Sequence, residues 1–369
     1  MTAKEKIAEL ISLAGLTING PNSYDPQVYD ERLYNRVLAG GTLALGEAYM
    51  DGWWDAEDLA ELFNKVLCAK FYKKVKSLSL FFHVLKSKIM NRQSRERSKQ
   101  VAEQHYDLDN NLYTAFLDPY NQYTCGYFKD TDNLNTAQEQ KLDLICRKLR
   151  LQPKDHVLDI GCGWGGFAKF ASEQYGAQVT GISISDEQIV YAKEYCHDCS
   201  VEIKKMDYRD LSGSFDKVVC VGMIEHVGFK NYRSFFRIVH NTLKDGGLFL
   251  LHTIGDNESA TATDPWIDRY IFPNGMIPSI TQLGKASENL FTMEDWHNFS
   301  AYYDTTLMAW MRNFDRSWNR LKEKYDERFY RMWKYYLLSC AGSFRARNNQ
   351  LWQVVFSKNG VPGGYVSIR

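Results

Sequence analysis

An aspartate two residues ahead of a glycine cluster is the sharpest chemical signal in this chain of 369 residues: Val157-Leu-Asp159-Ile-Gly161-Cys-Gly163-Trp-Gly-Gly166. Glycine takes positive φ without penalty, so the cluster is a sharp turn at which a ligand meets bare backbone. Gly161, Gly163 and Gly166 satisfy the G-x-G-x-x-G spacing that brings a pyrophosphate to a helix N-terminus. Asp159 argues against that ligand, because its charge opposes a pyrophosphate and helps a cation. S-adenosylmethionine carries a sulfonium and an ammonium but no phosphate. The turn therefore favours this methyl donor over a dinucleotide, which the glycine spacing alone still permits.

The elements around the turn place further candidates. Val157–Ile160 reads as a short buried strand and 167–175 as the helix that follows it. Strands are then expected at 178–183, 201–206, 215–222 and 246–252, alternating with helices at 186–196 and 232–243. Strands alternating with helices imply a parallel, doubly wound α/β sheet whose ligands sit at the C-terminal ends of the strands. Asp159, Ser183, Asp207, Glu225 and His252 all fall at or just beyond such ends.

Ahead of the sheet, 138–149 reads as a helix burying Leu142, Ile145, Cys146 and Leu149. The first 64 residues read as a small, mostly helical domain, with helices at 4–14 and 57–66 and with 32–38 open between strand and helix. From Lys65 to Lys99 eleven Lys and Arg residues face one acid, Glu96, and alternate with apolar side chains such as Phe71, Phe81, Phe82 and Ile89. A solvated linker is the plain reading of 65–100, and a helix lying on an anionic membrane is the sharper one. Nucleic acid suits so apolar a segment less well. Residues 101–369 form the expected catalytic domain.

Composition sets limits. Lys and Arg (45) balance Asp and Glu (45), so no global field selects a nucleic acid. The eight cysteines show no framework of the small secreted kind, and Cys196-x-x-Cys199 lacks a second pair to complete a zinc site. Free thiols in a reducing cytoplasm are expected, and no metal. Met1-Thr-Ala-Lys-Glu-Lys leads into a helix of mixed polarity, so no signal peptide is expected. No apolar run reaches the length that spans a bilayer.

The chain resembles the cyclopropane-fatty-acid-phospholipid synthases and their mycolic acid relatives. Gly46-Glu-Ala-Tyr-Met-Asp-Gly-Trp-Trp, His105-Tyr-Asp-Leu, Tyr123-Thr-Cys, 157–166 and Gly222-Met-Ile-Glu-His-Val-Gly carry the resemblance. So do Leu251-His-Thr-Ile-Gly, Tyr270-Ile-Phe-Pro-Asn-Gly, Glu294-Asp-Trp-His-Asn-Phe, Tyr303-Asp-Thr-Thr and Phe344-Arg-Ala-Arg, so that nearly the whole chain is covered. The resemblance implies a Rossmann-like methyltransferase sheet and transfer of the donor's methyl carbon to a cis double bond of a phospholipid acyl chain. The resulting carbocation needs aromatic faces to hold it and a dry site to protect it. Tyr (23), Phe (20) and Trp (9) are abundant.

A bicarbonate ion is implied as the proton acceptor, held by Cys125, Glu225, His252, the backbone of Ile254 and Tyr303. Cys340 is a weaker candidate, since the reaction needs no covalent enzyme intermediate. For the donor, the match points to Gly161, Gly163, Tyr123 and Thr124 at the methionine end. Ser183 and Gln188 are matched to the ribose, and Asp207, Tyr208 and Arg209 to the adenine. The second strand ends in Ile182-Ser183 without the acidic ribose ligand of methyltransferases at large. The resemblance leans to a homodimer, and the basic segment suggests peripheral association with the inner face of the membrane. Simple methylation or hydroxymethylation of a lipid or small molecule, and a membrane-binding protein without turnover, are the alternatives.

Overall fold

A computed structural model describes residues 1–70, 93 and 110–369. Most of the basic segment, including Lys73, Lys74 and Lys76, lies outside the described residues, as does the His105-Tyr-Asp-Leu motif. Among the described residues no helix is long and apolar enough to cross a membrane.

The chain forms two compact units whose boundaries differ from those expected. The first takes Met1–Asn91, Thr261–Asn274 and Tyr303–Asn349, and the second Arg92–Ala260, Gly275–Tyr302 and Gln350–Arg369. Two later segments thus join the N-terminal helices, instead of one continuous catalytic domain following residue 100. Their aromatic side chains supply the reason. Tyr335, on the helix Glu327–Arg345, packs against Tyr49, Phe63 and Trp266 at ring-centroid distances of 5.3, 5.3 and 4.6 Å. Arg331 lies over the Tyr49 ring and pairs with Asp55, while Arg345 bridges Glu61 and Asp304. Residues 32–38 prove helical, within a span Arg32–Met50 in which two helices meet at a kink at Gly41 (φ 61°, ψ −140°).

The second unit is built on a seven-stranded sheet: β1 His156–Ile160, β2 Gln178–Ser183, β3 Val201–Lys205, β4 Phe215–Val221, β5 Leu243–Asp256, β6 Thr292–Asn298 and β7 Asn349–Ser357. Their spatial order is 3-2-1-4-5-7-6. β3, β2, β1, β4 and β5 run parallel, whereas β6 is antiparallel to β7. The order reverses between β1 and β4, and a crevice opens at such a switch point beyond the strand ends.

Both faces of the sheet are buried. Leu158, Ile160, Val218, Phe249, Trp352 and Val354 pack on one side with Phe235 and Val239 of the helix Tyr232–Thr242. Val157, Val219, Leu250 and Val355 pack on the other with Leu142 and Ile145 of the helix Leu134–Lys148.

Candidate active site

The glycine turn holds three left-handed residues, Gly161 (φ 83°), Gly163 (φ 53°) and Gly165 (φ 84°), before the helix Gly166–Tyr175. A Cβ at Gly161 would stand 2.7 Å from Met223, whereas one at Gly163 meets nothing within 4 Å, leaving bare backbone open for a ligand. Gly166 is required for a different reason, because a Cβ there would overlap the Tyr120 carbonyl. Around the turn, Tyr113 packs on Trp164 (4.9 Å) and Tyr123 (5.2 Å), and Phe116 on Tyr123 (6.0 Å).

Successive strand ends carry the expected donor residues. Asp159 near the end of β1 is buried, and its Oδ2 has no hydrogen-bond partner among the described residues. Burial pushes its carboxyl up to about 7, and the Lys141 ammonium pulls the other way. At the end of β2, Ser183 Oγ and Gln188 Oε1 lie 3.2 Å apart. Past β3, Asp207 accepts from the Arg209 guanidinium (2.9 Å), which also lies over the Tyr208 ring. The Met206 N–H donates to the Ser183 carbonyl, tying the ends of β2 and β3 together.

The second group stands beyond β4 and within β5. Gly222 N–H donates to the His252 carbonyl, and three residues on Glu225 Oε1 accepts from the Ile254 N–H at 2.8 Å. That N–H, matched in the sequence to an anion, is therefore committed to Glu225. Glu225 Oε2 is sealed from solvent with no hydrogen-bond partner among the described residues. Burial raises its carboxyl to about 7 against the lowering by the Ile254 N–H. His252 is buried and held neutral, first by desolvation and then by the charges of Lys141 and Lys148. Gln353 Nε2 lies 3.3 Å from His252 Nδ1; as a donor it assigns the ring proton to Nε2, which has no partner among the described residues. An acceptor and a donor are thus both buried and unsatisfied on neighbouring segments, an arrangement that costs free energy until something is bound.

Cys125 is buried, and its thiol donates to the Gly126 carbonyl at 3.2 Å. Adjacent His226 is also driven neutral by burial, to about 4. Tyr303 and Cys340 belong to the first unit. There Tyr303 stacks on Phe344 (4.3 Å), and burial raises the Cys340 thiol to about 12, which leaves it a poor nucleophile.

Sequence reading missed the polar layer beneath these groups. Strand alternation puts Asp159, His252 and Gln353 on the same sheet face as Val157, Leu250 and Val355, toward the helix Leu134–Lys148. That helix presents Gln138, Lys141 and Lys148, all fully buried. Lys148 Nζ reaches His297 Nδ1 (3.0 Å) and Asp295 (3.6 Å) on β6. The available signal was the helical spacing of 134, 138, 141, 145 and 148, which puts two lysines and a glutamine on one stripe with Leu134 and Ile145.

The sheet order, the open glycine turn and the buried Asp159 define a SAM-dependent methyltransferase. Within that class, the mycolic acid cyclopropane synthetase family model matches residues 93–354, and the chain belongs to this family. It is 50% identical over 357 residues to the cyclopropane-fatty-acyl-phospholipid synthase of Escherichia coli, covering 96% of this chain and 93% of the relative. A probable fatty acid methyltransferase of Pseudomonas putida is 36% identical over 267 residues, covering 69% and 68%. Among solved structures, a cyclopropane synthase from Mycobacterium tuberculosis matches with a TM-score of 0.66 at 28% identity, covering 70% of this chain and 98% of that one. A mycolic acid cyclopropane synthase complexed with SAH and CTAB matches with a TM-score of 0.65 at 30% identity, with the same coverage.

Proposed function

We propose that this enzyme converts the cis double bond of an unsaturated phospholipid acyl chain into a cyclopropane ring, with S-adenosylmethionine as methyl donor. The alkene π electrons form a bond to the methyl carbon as the carbon–sulfur bond breaks toward sulfur, releasing S-adenosylhomocysteine. A carbocation remains beside the new methyl group. Loss of a proton from that methyl lets its C–H electrons close the ring. The observation that carries this reading is the pair of buried, unsatisfied groups, Glu225 Oε2 and His252 Nε2, on segments joined by the Ile254–Glu225 hydrogen bond. A simple methyltransferase has no need of a proton acceptor at the methyl carbon.

On the donor side, Asp159 offers a buried carboxylate for the ammonium, and the open backbone at Gly163 leaves room for the methionine part. Tyr123 and Thr124 flank it, Ser183 and Gln188 are assigned to the ribose, and Asp207, Tyr208 and Arg209 to the adenine. On the proton side, the His252 Nε2–H and the Glu225 carboxyl fit the donor and acceptor needs of a small hydrogencarbonate ion. Bound there, such an ion would supply the proton acceptor. Glu225 would orient it or take up its proton near neutral pH, while neutral His252 keeps its hydrogen for donation. Cys125, in the same unit, is the remaining member of the proposed set.

The protein is incubated with S-adenosylmethionine, bicarbonate and vesicles of unsaturated phospholipid. One added methylene per double bond, with loss of the alkene proton signal, supports the reading. A methylated product that keeps an alkene proton, a hydroxylated product from trapped water, or no product with several lipids overturns it.

A further inference from the structure

Lys141 is a charged side chain in a place where charge is costly. It is completely buried, and taking an ammonium out of water without partners costs several kcal/mol. Two of its hydrogen bonds run to one segment: Nζ donates to Thr124 Oγ1 at 2.8 Å and to Gln122 Oε1. Gln138, three residues earlier on the same helix, donates to the Thr124 carbonyl at 2.8 Å. Backbone elsewhere also packs closely on the segment, since a Cβ on Gly222 would stand 2.7 Å from Thr124 Cγ2 and one on Gly166 would overlap Gln122 Nε2. Asp118, Cys125 and Asp159 all lie within electrostatic reach of the ammonium.

We infer that Lys141 is a positioning residue of the donor site, its ammonium fixing Gln122–Cys125 against the glycine turn and serving as the buried counter-charge of Asp159. The inference rests on the methyl-donor reading above. Two consequences follow from the one group. Lys141 holds Thr124, which flanks the donor with Tyr123, through its Oγ1, and Gln138 one turn earlier on the same helix holds the Thr124 carbonyl. Asp159 keeps more of its negative charge because Lys141 faces it. Lys141 touches neither donor nor lipid in this account; it acts through the segment and the carboxylate that do.

The test measures S-adenosylhomocysteine binding by calorimetry for wild type, Lys141→Met and Lys141→Gln, together with donor-free melting temperatures and the KM for each substrate. The expected result is a loss of affinity of about tenfold or more, the scale of a lost charged hydrogen bond. The KM for the methyl donor should rise with it while the KM for the lipid stays unchanged. Lys141→Gln keeps a side-chain donor, so it carries the test where Lys141→Met fails to fold. A folded variant with lowered melting temperature and wild-type affinity makes Lys141 merely structural and overturns the inference. An equal rise in both KM values overturns it as well. A wild-type protein that does not bind S-adenosylhomocysteine removes the donor reading itself, a result distinct from either.

Discussion

The Ile254 N–H donates to Glu225 Oε1 across 2.8 Å, which fixes one carboxyl oxygen and leaves the other buried without a partner among the described residues. A carboxyl so held has a defined orientation, and burial raises it from 4.5 to about 7. Its protonation state consequently changes within the neutral range.

The first prediction concerns stability. Between pH 4.5 and about 7 the folded protein keeps a proton on Glu225 that the unfolded chain has lost, so this group lowers stability as pH rises through that window. The loss is at most on the order of 3 kcal/mol. Glu225→Gln cannot ionise, so denaturation midpoints should show the variant gaining on wild type between pH 5 and 8. Parallel curves would mean that the carboxyl is not raised.

A second prediction concerns the rate profile. His252 is held neutral throughout, so the only acid limb expected from this pair is that of Glu225, with kcat/KM rising through about pH 7. His252→Phe should lower kcat by about a hundredfold, the scale of a lost preorganised hydrogen-bond donor, without moving that limb. A limb that disappears in the variant would assign it to the histidine.

The glycine turn gives a third. At Gly166 a methyl group overlaps the Tyr120 carbonyl, and both are held in place, so Gly166→Ala should cost about 3 kcal/mol or more. Gly163 has open space but a left-handed φ of 53°, so Gly163→Ala should cost only about 1 kcal/mol and mainly weaken donor binding. Equal melting temperatures for the two variants would contradict this account of the turn.

The five parallel strands are legible because buried strands bounded by turns and helices repeat regularly from β1 to β5. The antiparallel pair β6 and β7 is not, since Asp295 and His297 face inward on β6, where they meet Lys148, and hide the alternation. The paired units are hidden for another reason: 261–274 and 303–349 join the N-terminal helices through aromatic contacts between residues remote in sequence. Tyr303 was found by its motif, but only the fold reveals the unit that holds it. Lys141 escapes a sequence reading because a lysine is presumed solvated until the fold supplies Thr124 and Gln122 as partners.

A fourth prediction belongs to the basic segment, whose charge is read from sequence alone. Neutralising Lys73, Lys74 and Lys76 should weaken binding to anionic vesicles at low salt, at roughly 1 kcal/mol per charge. Sedimentation with vesicles that is unchanged in the variant would return the segment to a solvated linker.

In the proposed reaction the new methyl group loses a proton at a site built from Glu225 and His252. Methyl-deuterated S-adenosylmethionine tests it most directly, by mass spectrometry and deuterium NMR of the lipid product. A ring CD2 group is expected in the wild-type product, with much slower formation of it by Glu225→Gln. A product that retains the whole CD3 group, or a Glu225→Gln variant that forms the CD2 ring at the wild-type rate, would contradict it.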